Sequence, residues 1–264
     1  MDALDRAKST AQASVDEVLD NLRIREDFTP LFVGRSRELY AYKDFKLYPG
    51  LNDQLRAALS RKGTSADAVY RGLFVEVNSA FERGVKSVAN AVVTHRQATA
   101  PKFSLLNRAF RDRHTVHSAK VLAKLHDGEI NGSTYDFAEL QRTLGICFTD
   151  TEPLQLNADI FTVFLGNCTP KRLADLFEAL DLSPPFDDGT GKNAAVRKWS
   201  GNKGAREAAL AATKALESQL ALRNSIVHGP LGGDSVVATD IERAAELTLA
   251  LLDAFIEKAR ISTA

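Results

Sequence analysis

Residues 65–96 read SADAVYRGLFVEVNSAFERGVKSVANAVVTHR. Apolar side chains recur here at steps of three and four, the spacing of one face of an α-helix; they are Val69, Leu73, Val77, Phe81, Val85, Val88 and Val92. Thr64 or Ser65 can cap the start of the helix. The pattern predicts a long amphipathic helix that packs its apolar face against a core.

The rest of the chain carries similar patterns, joined by turns that contain Gly and Pro. We predict further helices at residues 4–25, 51–61, 103–125, 135–144, 153–165, 170–180 and 204–227, and a last one from Thr239. Residues 28–50 are rich in aromatics and alternate poorly, so we predict an irregular packed segment there, with one short hairpin as the alternative. Residues 183–192 are predicted to form a loop, because their Pro and Gly content prevents a continuous helix. The prediction is an all-α protein, with a helical and irregular N-terminal extension at residues 1–62 and a helical bundle at 63–264.

The composition is that of a soluble globular protein, with 44% hydrophobic and 26% charged residues. It excludes collagen, intrinsically disordered and disulfide-scaffold proteins, and no run approaches the ~20 apolar residues of a membrane helix. Lys and Arg total 34, as do Asp and Glu, so the formal net charge is zero. This balance argues against a protein that coats nucleic acid through bulk charge, but it leaves a local basic site open.

The cysteines and the N-terminal residues indicate a reduced, cytoplasmic protein. Cys147 and Cys168 are the only cysteines, and they form neither a CxxC pair nor a Cys/His zinc pattern. The first residues, MDALDRAKSTAQ, are charged where a signal peptide would be apolar. We therefore predict free thiols, a cytoplasmic location, no membrane association and no metal site.

The stretch LALRNSIVHGPL, residues 220–231, carries the most specific chemical signal. An Arg five residues before a His is a weak signal by itself, because this pairing is common by chance. Here Asn224 follows Arg223, and Gly229 after His228 marks the end of a helix. Asn224 and His228 share a helix face, and Arg223, about 100° round the helix, is long enough to join them.

These three residue types suit the cleavage of an RNA phosphodiester without a metal. The arginine stabilises charge on the phosphoryl oxygens, the histidine transfers protons near neutral pH, and the ribose 2′-OH attacks the adjacent phosphorus. One histidine cannot easily be both acid and base, and a two-fold dimer would supply a second one. The alternative is structural, since Arg and His near a helix C-terminus also stabilise the helix dipole.

The motif RNSIVHG and its setting resemble the HEPN superfamily and, more narrowly, its RiboL-PSP-type branch. The similar order is a helix pair, the segment CTPKRLADLFEALDLS, a loop with KWS, the motif helix and a last amphipathic helix, over residues 65–260. The resemblance implies a dimeric, all-α HEPN-like domain at residues 63–264, acting as a metal-independent endoribonuclease without a cofactor. Arg223 and His228 match the motif positions, and Asn224 matches the polar position after the arginine.

The resemblance also implies partners and a cellular context. Such proteins often belong to toxin–antitoxin or anti-phage defence systems, so RNA and a cognate antitoxin or defence protein are the expected partners. Some relatives have lost the motif and only bind. The alternative function is therefore a non-catalytic module that binds RNA, a nucleotide or a partner protein. A helical interaction protein, whose motif only ends a helix, is the third interpretation.

Basic residues outside the motif are candidate RNA contacts. Residues 192–206 carry five Lys or Arg and no acid, and Trp199 could stack an unpaired base beside Arg197 and Lys198. The alternative is that Trp199 anchors its loop on the core. Residues 102–126 carry six Lys or Arg against one Asp, a net charge of +5, and they contain Arg111 and Arg113. This second segment could follow the phosphate backbone or be an ordinary solvated face.

His114 and His117 lie three residues apart on the same predicted helix and could share a face. A metal site there would need further ligands. We expect a solvated face for these two histidines, with RNA contact as the next alternative and metal binding as the last.

Overall fold

The computed structural model of the protein describes residues 2–33, 64–127, 135–228 and 235–263. Within these ranges the chain forms nine α-helices and two 3₁₀-helices and no strand, which confirms the all-α prediction. The α-helices are α1 (Ala3–Val33), α2 (Thr64–Thr99), α3 (Arg108–His126), α4 (Phe137–Thr149), α5 (Pro170–Ala179), α6 (Asp188–Lys192), α7 (Ala194–Ser200), α8 (Ala205–His228) and α9 (Ala238–Thr263). The 3₁₀-helices are Phe103–Leu105 and Ala158–Phe161. None of these helices is long and apolar enough to cross a membrane.

Helix α2 lies at the centre of the bundle and packs against α1 and α9. The predicted apolar face of α2 is buried from Val77 to Val92, whereas Val69, near the N-terminal end of the helix, is exposed. Phe81 packs near Phe255 of α9, with ring centroids 6.3 Å apart. The apolar face of this long helix therefore anchors the main core, as its spacing predicted.

Helix α1 is part of the same packed bundle. Its buried residues fall at helical spacing, and they are Leu4, Ala7, Ala11, Val15, Val18 and Leu22. Asp5 pairs with Arg260, and Lys8 pairs with Asp253, so ion pairs also join α1 to α9. The helix predicted at residues 4–25 is confirmed, but it continues through Pro30 to Val33, because proline removes only one backbone donor and kinks a helix without always ending it. The predicted boundary at residue 62 and the helix predicted at 51–61 lie outside the described residues.

The helix predicted at residues 153–165 is wrong. This segment is irregular apart from the 3₁₀-helix Ala158–Phe161 and the turn that follows it at residues 162–164. Side chains from distant helices accept hydrogen bonds from two of its backbone amides. Leu156 N–H donates to Gln97 Oε1 at 2.8 Å, and Asn157 N–H donates to His114 Nε2 at 3.3 Å. These tertiary hydrogen bonds satisfy two backbone amides that a helix would otherwise have to pair within itself.

Residues 183–200 contain two short helices that the sequence analysis did not predict, α6 and α7. Asp187 caps α6, and Asn193 caps α7 by accepting hydrogen bonds from two of its backbone amides. Lys258 of α9 is buried and forms an ion pair with Asp187 at 2.5 Å. A cap on each helix and one buried ion pair therefore order the segment, although its composition is that of a loop.

Candidate functional site

Helix α8 carries the motif at its C-terminal end. Leu216 and Leu220 are buried in the main core, and Arg223 continues the same face as a half-buried side chain. Asn224 is also half-buried, about 100° further round the helix. His228, the last residue of α8, is exposed. The end of α8 therefore presents the three side chains at the edge of the bundle.

Asn224 joins Arg223 to a loop that precedes α5. Its Oδ1 accepts one hydrogen bond from Arg223 Nη1 at 3.2 Å and a second from Asn167 Nδ2 at 3.0 Å. Asn167 lies in the loop at residues 165–169. Arg172 of α5 holds this loop, because its Nη1 donates to the carbonyl oxygen of the first loop residue at 2.8 Å. The loop and the motif helix thus fix the position of the Arg223 guanidinium together.

Helix α2 brings a carboxylate to the same neighbourhood. Glu82 is half-buried, and burial raises its pKa above the usual value, while the charges of Arg223 and Lys86 act in the opposite direction. Its Oε1 is buried and has no hydrogen-bond partner among the described residues. Burial, followed by the charge of Glu82, raises the pKa of the Cys168 thiol to about 12. The carboxylate, the two cations and the loop thiol therefore influence one another electrostatically.

Four residues of this site were not predicted from the sequence: Glu82, Lys86, Asn167 and Arg172. One signal was available for the first two, since a Glu and a Lys four residues apart lie side by side on a helix, next to the apolar face of α2. Nothing in the sequence marks Asn167 or Arg172. Asn167 is 57 positions from Asn224 in the chain, and only the packing of the loop against α8 brings them together.

Trp199 packs against the main core from α7, which agrees with the anchoring alternative. It is half-buried, and the Arg243 guanidinium lies over its ring at 5.8 Å from the centroid. Trp199 and the exposed Lys198 line a cavity of about 610 Å³ between α1, α7 and α9. Trp199 also lines a second cavity of about 300 Å³ beside α8. Arg197 donates to the carbonyl oxygen of Lys203, which closes the turn after α7.

Arg111 and Arg113 differ in their surroundings on α3. The Arg113 guanidinium is half-buried and donates to the backbone carbonyl oxygen of Phe161 at 3.0 and 3.2 Å, and to that of Asp175 at 3.3 Å. Burial lowers the pKa of Arg113. Arg111 is half-buried, and its Nε has no partner among the described residues. Arg113 therefore ties α3 to two neighbouring segments, and its role as an RNA contact stays a prediction, as does that of Arg111.

The expectation of a solvated face for His114 is wrong. His114 is completely buried, with Nδ1 at 3.9 Å from Cys147 Sγ, and its Nε2 accepts the hydrogen bond from Asn157 N–H. Burial lowers the pKa of His114 to about 4 and raises that of the Cys147 thiol to about 12. His117 is half-buried, and its Nδ1 lies 3.0 Å from the carbonyl oxygen of Ile160. Both rings thus pin the irregular segment before α5 onto α3.

No group of three or more His, Cys, Asp or Glu that could hold a metal ion occurs in the described parts of the chain. The motif residues supply a guanidinium, an amide and an imidazole. These groups suit the binding of an anion and the transfer of a proton.

A helical bundle in which one long helix ends in Arg223, Asn224 and His228 is the architecture that the HEPN superfamily leads us to expect. The family model described as RiboL-PSP-HEPN matches residues 43–259, which is most of the chain, and the chain belongs to this family. The match begins before residue 63, the predicted start of the domain. No curated protein and no solved structure matches the chain. Family membership points to an RNA-related role, and RNase activity is frequent in the family.

Proposed function

We propose that the protein is a metal-independent endoribonuclease whose active site is centred on Arg223, Asn224 and His228. The observation that supports this proposal most is the fixed geometry at the end of α8. Asn224 holds the Arg223 guanidinium, and His228 projects one helical turn beyond Asn224. A bound phosphodiester would therefore meet a positioned cation and a proton-transfer group at one helix end.

The proposed reaction is attack of the ribose 2′-OH on the adjacent phosphorus. The 2′-oxygen loses its proton to a histidine, the P–O5′ bond breaks, and the 5′-oxygen takes a proton from a second histidine. The products are a 2′,3′-cyclic phosphate and a 5′-hydroxyl end. Arg223 stabilises the negative charge that develops on the phosphoryl oxygens, and no resident cofactor takes part.

A second copy of the chain would supply the second histidine. His228 is exposed, and none of the three motif residues lies in the wall of either cavity beside Trp199. In the described part of a single chain, the three motif side chains therefore lie outside both of these cavities. A two-fold dimer that joins two α8 ends would place two copies of the motif face to face.

The RNA contacts and the cellular context are further parts of the proposal. Arg197 and Lys198 are exposed cations on α7, and they are candidates for contacting the phosphates that flank the cleaved bond. The resemblance to defence-associated relatives supports a role in a toxin–antitoxin or anti-phage system, with a cognate protein that controls the activity.

Cleavage by single-residue variants tests the site. We expect His228→Ala and Arg223→Ala each to cut a labelled RNA at least about 100-fold more slowly than the wild type. His126→Ala is a matched control for the histidine, because His126 is also an exposed last residue of a helix. Arg6→Ala is the control for the arginine, since Arg6 is exposed on α1 and outside the candidate RNA-contact segments. If the motif variants cut as fast as their controls, the site assignment is wrong.

The dimer has a test of its own. We expect sedimentation analysis to give twice the mass of one chain, and the initial cleavage rate to rise with the square of the protein concentration under dissociating conditions. A monomer whose rate rises in proportion to its concentration would contradict the composite site while leaving the motif assignment intact.

A further inference from the structure

The two polar atoms of the Asn224 side chain have different tasks. A guanidinium has only donors, so the Asn224 atom that faces Arg223 Nη1 must be the carbonyl oxygen Oδ1. The same oxygen accepts from Asn167 Nδ2 at 3.0 Å. An amide oxygen has two lone pairs, and both are now used. The orientation of the Asn224 amide therefore follows from its partners.

The amide nitrogen of Asn224 is left for an external group. Asn224 Nδ2 has no hydrogen-bond partner among the described residues, and it is not among the buried atoms without a partner. We propose that Asn224 Nδ2 donates a hydrogen bond to a non-bridging phosphoryl oxygen of the RNA, and that Asn167 is the positioning residue that keeps it turned that way. This inference rests on the proposed ribonuclease function and names the role of two residues in it.

The loop at residues 165–169 is built to keep Asn167 in place. Gly166 has a φ of +55°, a conformation that favours glycine, and an added Cβ there would collide with the Arg172 guanidinium. Cys168 is completely buried, and Thr169 caps α5. Both neighbours of Asn167 are thus fixed, so its amide is positioned before any ligand arrives.

The competing explanation is that Asn224 only orients Arg223 through Oδ1. Asn224→Asp separates the two, because aspartate keeps an oxygen acceptor for both Arg223 and Asn167 but replaces the Nδ2 donor by a second oxygen. If Nδ2 contacts the phosphate, this variant loses about 100-fold or more in cleavage rate, the effect of removing one donor from a site of developing negative charge. The variant also adds a negative charge near the phosphate, so Val227→Asp, the same charge change at an exposed position of the same helix end, is its control. If Asn224 only orients Arg223, Asn224→Asp loses no more cleavage rate than Val227→Asp.

Asn167 is tested through a double-variant cycle. We expect Asn167→Ala alone to slow cleavage by about tenfold or more, and to add nothing further when Asn224 is already alanine, because Asn167 acts through Asn224. Equal losses from Asn167→Ala in both backgrounds would overturn its role as a positioning residue. Circular dichroism and the thermal midpoint of each variant establish that it is folded, and a loss of cleavage counts only for a folded variant.

A binding assay supplies a readout that does not depend on cleavage. RNA with 2′-O-methyl riboses cannot undergo 2′-oxygen attack, so its affinity reports the phosphate contact alone. We expect Asn224→Asp to weaken binding of a 2′-O-methyl oligonucleotide by about tenfold or more, which exceeds the effect of Val227→Asp, the same charge change at an exposed position one turn beyond Arg223. Equal affinities of the two variants would overturn the proposed contact.

These outcomes distinguish the inference from the proposed function. A wild type that cuts RNA, with Asn224→Asp losing no more cleavage rate than Val227→Asp, overturns only the inference. A wild type that binds RNA without cutting it, and that loses affinity in Asn224→Asp, overturns the proposed ribonuclease activity. The same result supports the contact between Asn224 Nδ2 and the phosphate. A wild type that neither cuts nor binds RNA overturns both.

Discussion

Acid should destabilise the protein through one buried histidine. His114 has no exposed surface, and burial lowers its pKa to about 4 from an ordinary value of 6.5. The unfolded chain therefore binds a proton on this residue near pH 6.5, whereas the folded chain does so only near pH 4. Between these values the unfolded state holds more protons, so the free energy of unfolding falls as the pH falls.

The size of this effect follows from the two pKa values. Each pKa unit corresponds to about 1.4 kcal/mol of differential stability, so His114 alone contributes about 3 kcal/mol that is present above pH 6.5 and lost by about pH 4. That amount is a large part of the ~5–15 kcal/mol that stabilises a typical protein. The protein should be markedly less stable at pH 4.5 than at pH 7.

Denaturant unfolding of the wild type and His114→Gln at a series of pH values measures this contribution. The variant loses native hydrogen bonds and should be the less stable protein at pH 7. Its disadvantage should shrink by about 3 kcal/mol towards pH 4, because glutamine does not titrate. His126→Gln, on the exposed end of the same helix, is the control. A stability difference between wild type and His114→Gln that stays constant with pH would contradict the lowered pKa of His114 in the folded protein.

Three substitutions and one labelling experiment have further expected outcomes. Glu82→Gln should raise the free energy of unfolding at pH 7, because burial penalises the ionised form, and the gain should vanish below pH 4.5; the same denaturant series detects it. Gly191→Ala should cost about 1–3 kcal/mol, because its Cβ would overlap the backbone at the start of α8. Gly72→Ala, in open space on α2, should instead stabilise the protein by about 1 kcal/mol. Equal thermal midpoints of Gly191→Ala and Gly72→Ala would contradict both expectations. Cys147 and Cys168 should resist a thiol reagent at pH 8 until the protein unfolds, and rapid labelling of the native protein would count against their burial.

The parts of the fold that could be predicted are those whose apolar spacing is regular. Helix α2 carries seven apolar residues at helical steps, so its local pattern and its tertiary packing agree. The segment 153–165 contains enough apolar residues for a helix. However, two of its backbone amides donate hydrogen bonds to Gln97 and His114, which are distant in the chain. No local pattern encodes such partners. Helix α7 is only seven residues long and depends on the Asn193 cap, so its periodicity is too short to detect.

The residues of the candidate site also include some that the sequence predicts and some that it does not. Arg223, Asn224 and His228 lie within six residues of one another, and a helix brings them together wherever it packs. Asn167 and Glu82 join them only through the packing of other elements against α8. The prediction that His114 lies on a solvated face was wrong for a related reason. The sequence of a basic helix does not show whether one of its histidines faces solvent or the core.

The most direct test of the proposed activity identifies the ends of the RNA products. Purified wild type and His228→Ala are incubated with mixed RNA in the presence of EDTA, and the termini of the fragments are determined. The proposal predicts that only the wild type cuts, leaving 2′,3′-cyclic phosphate and 5′-hydroxyl ends. Cleavage that needs a divalent metal, that leaves 5′-phosphate ends, or that persists unchanged in His228→Ala would contradict it.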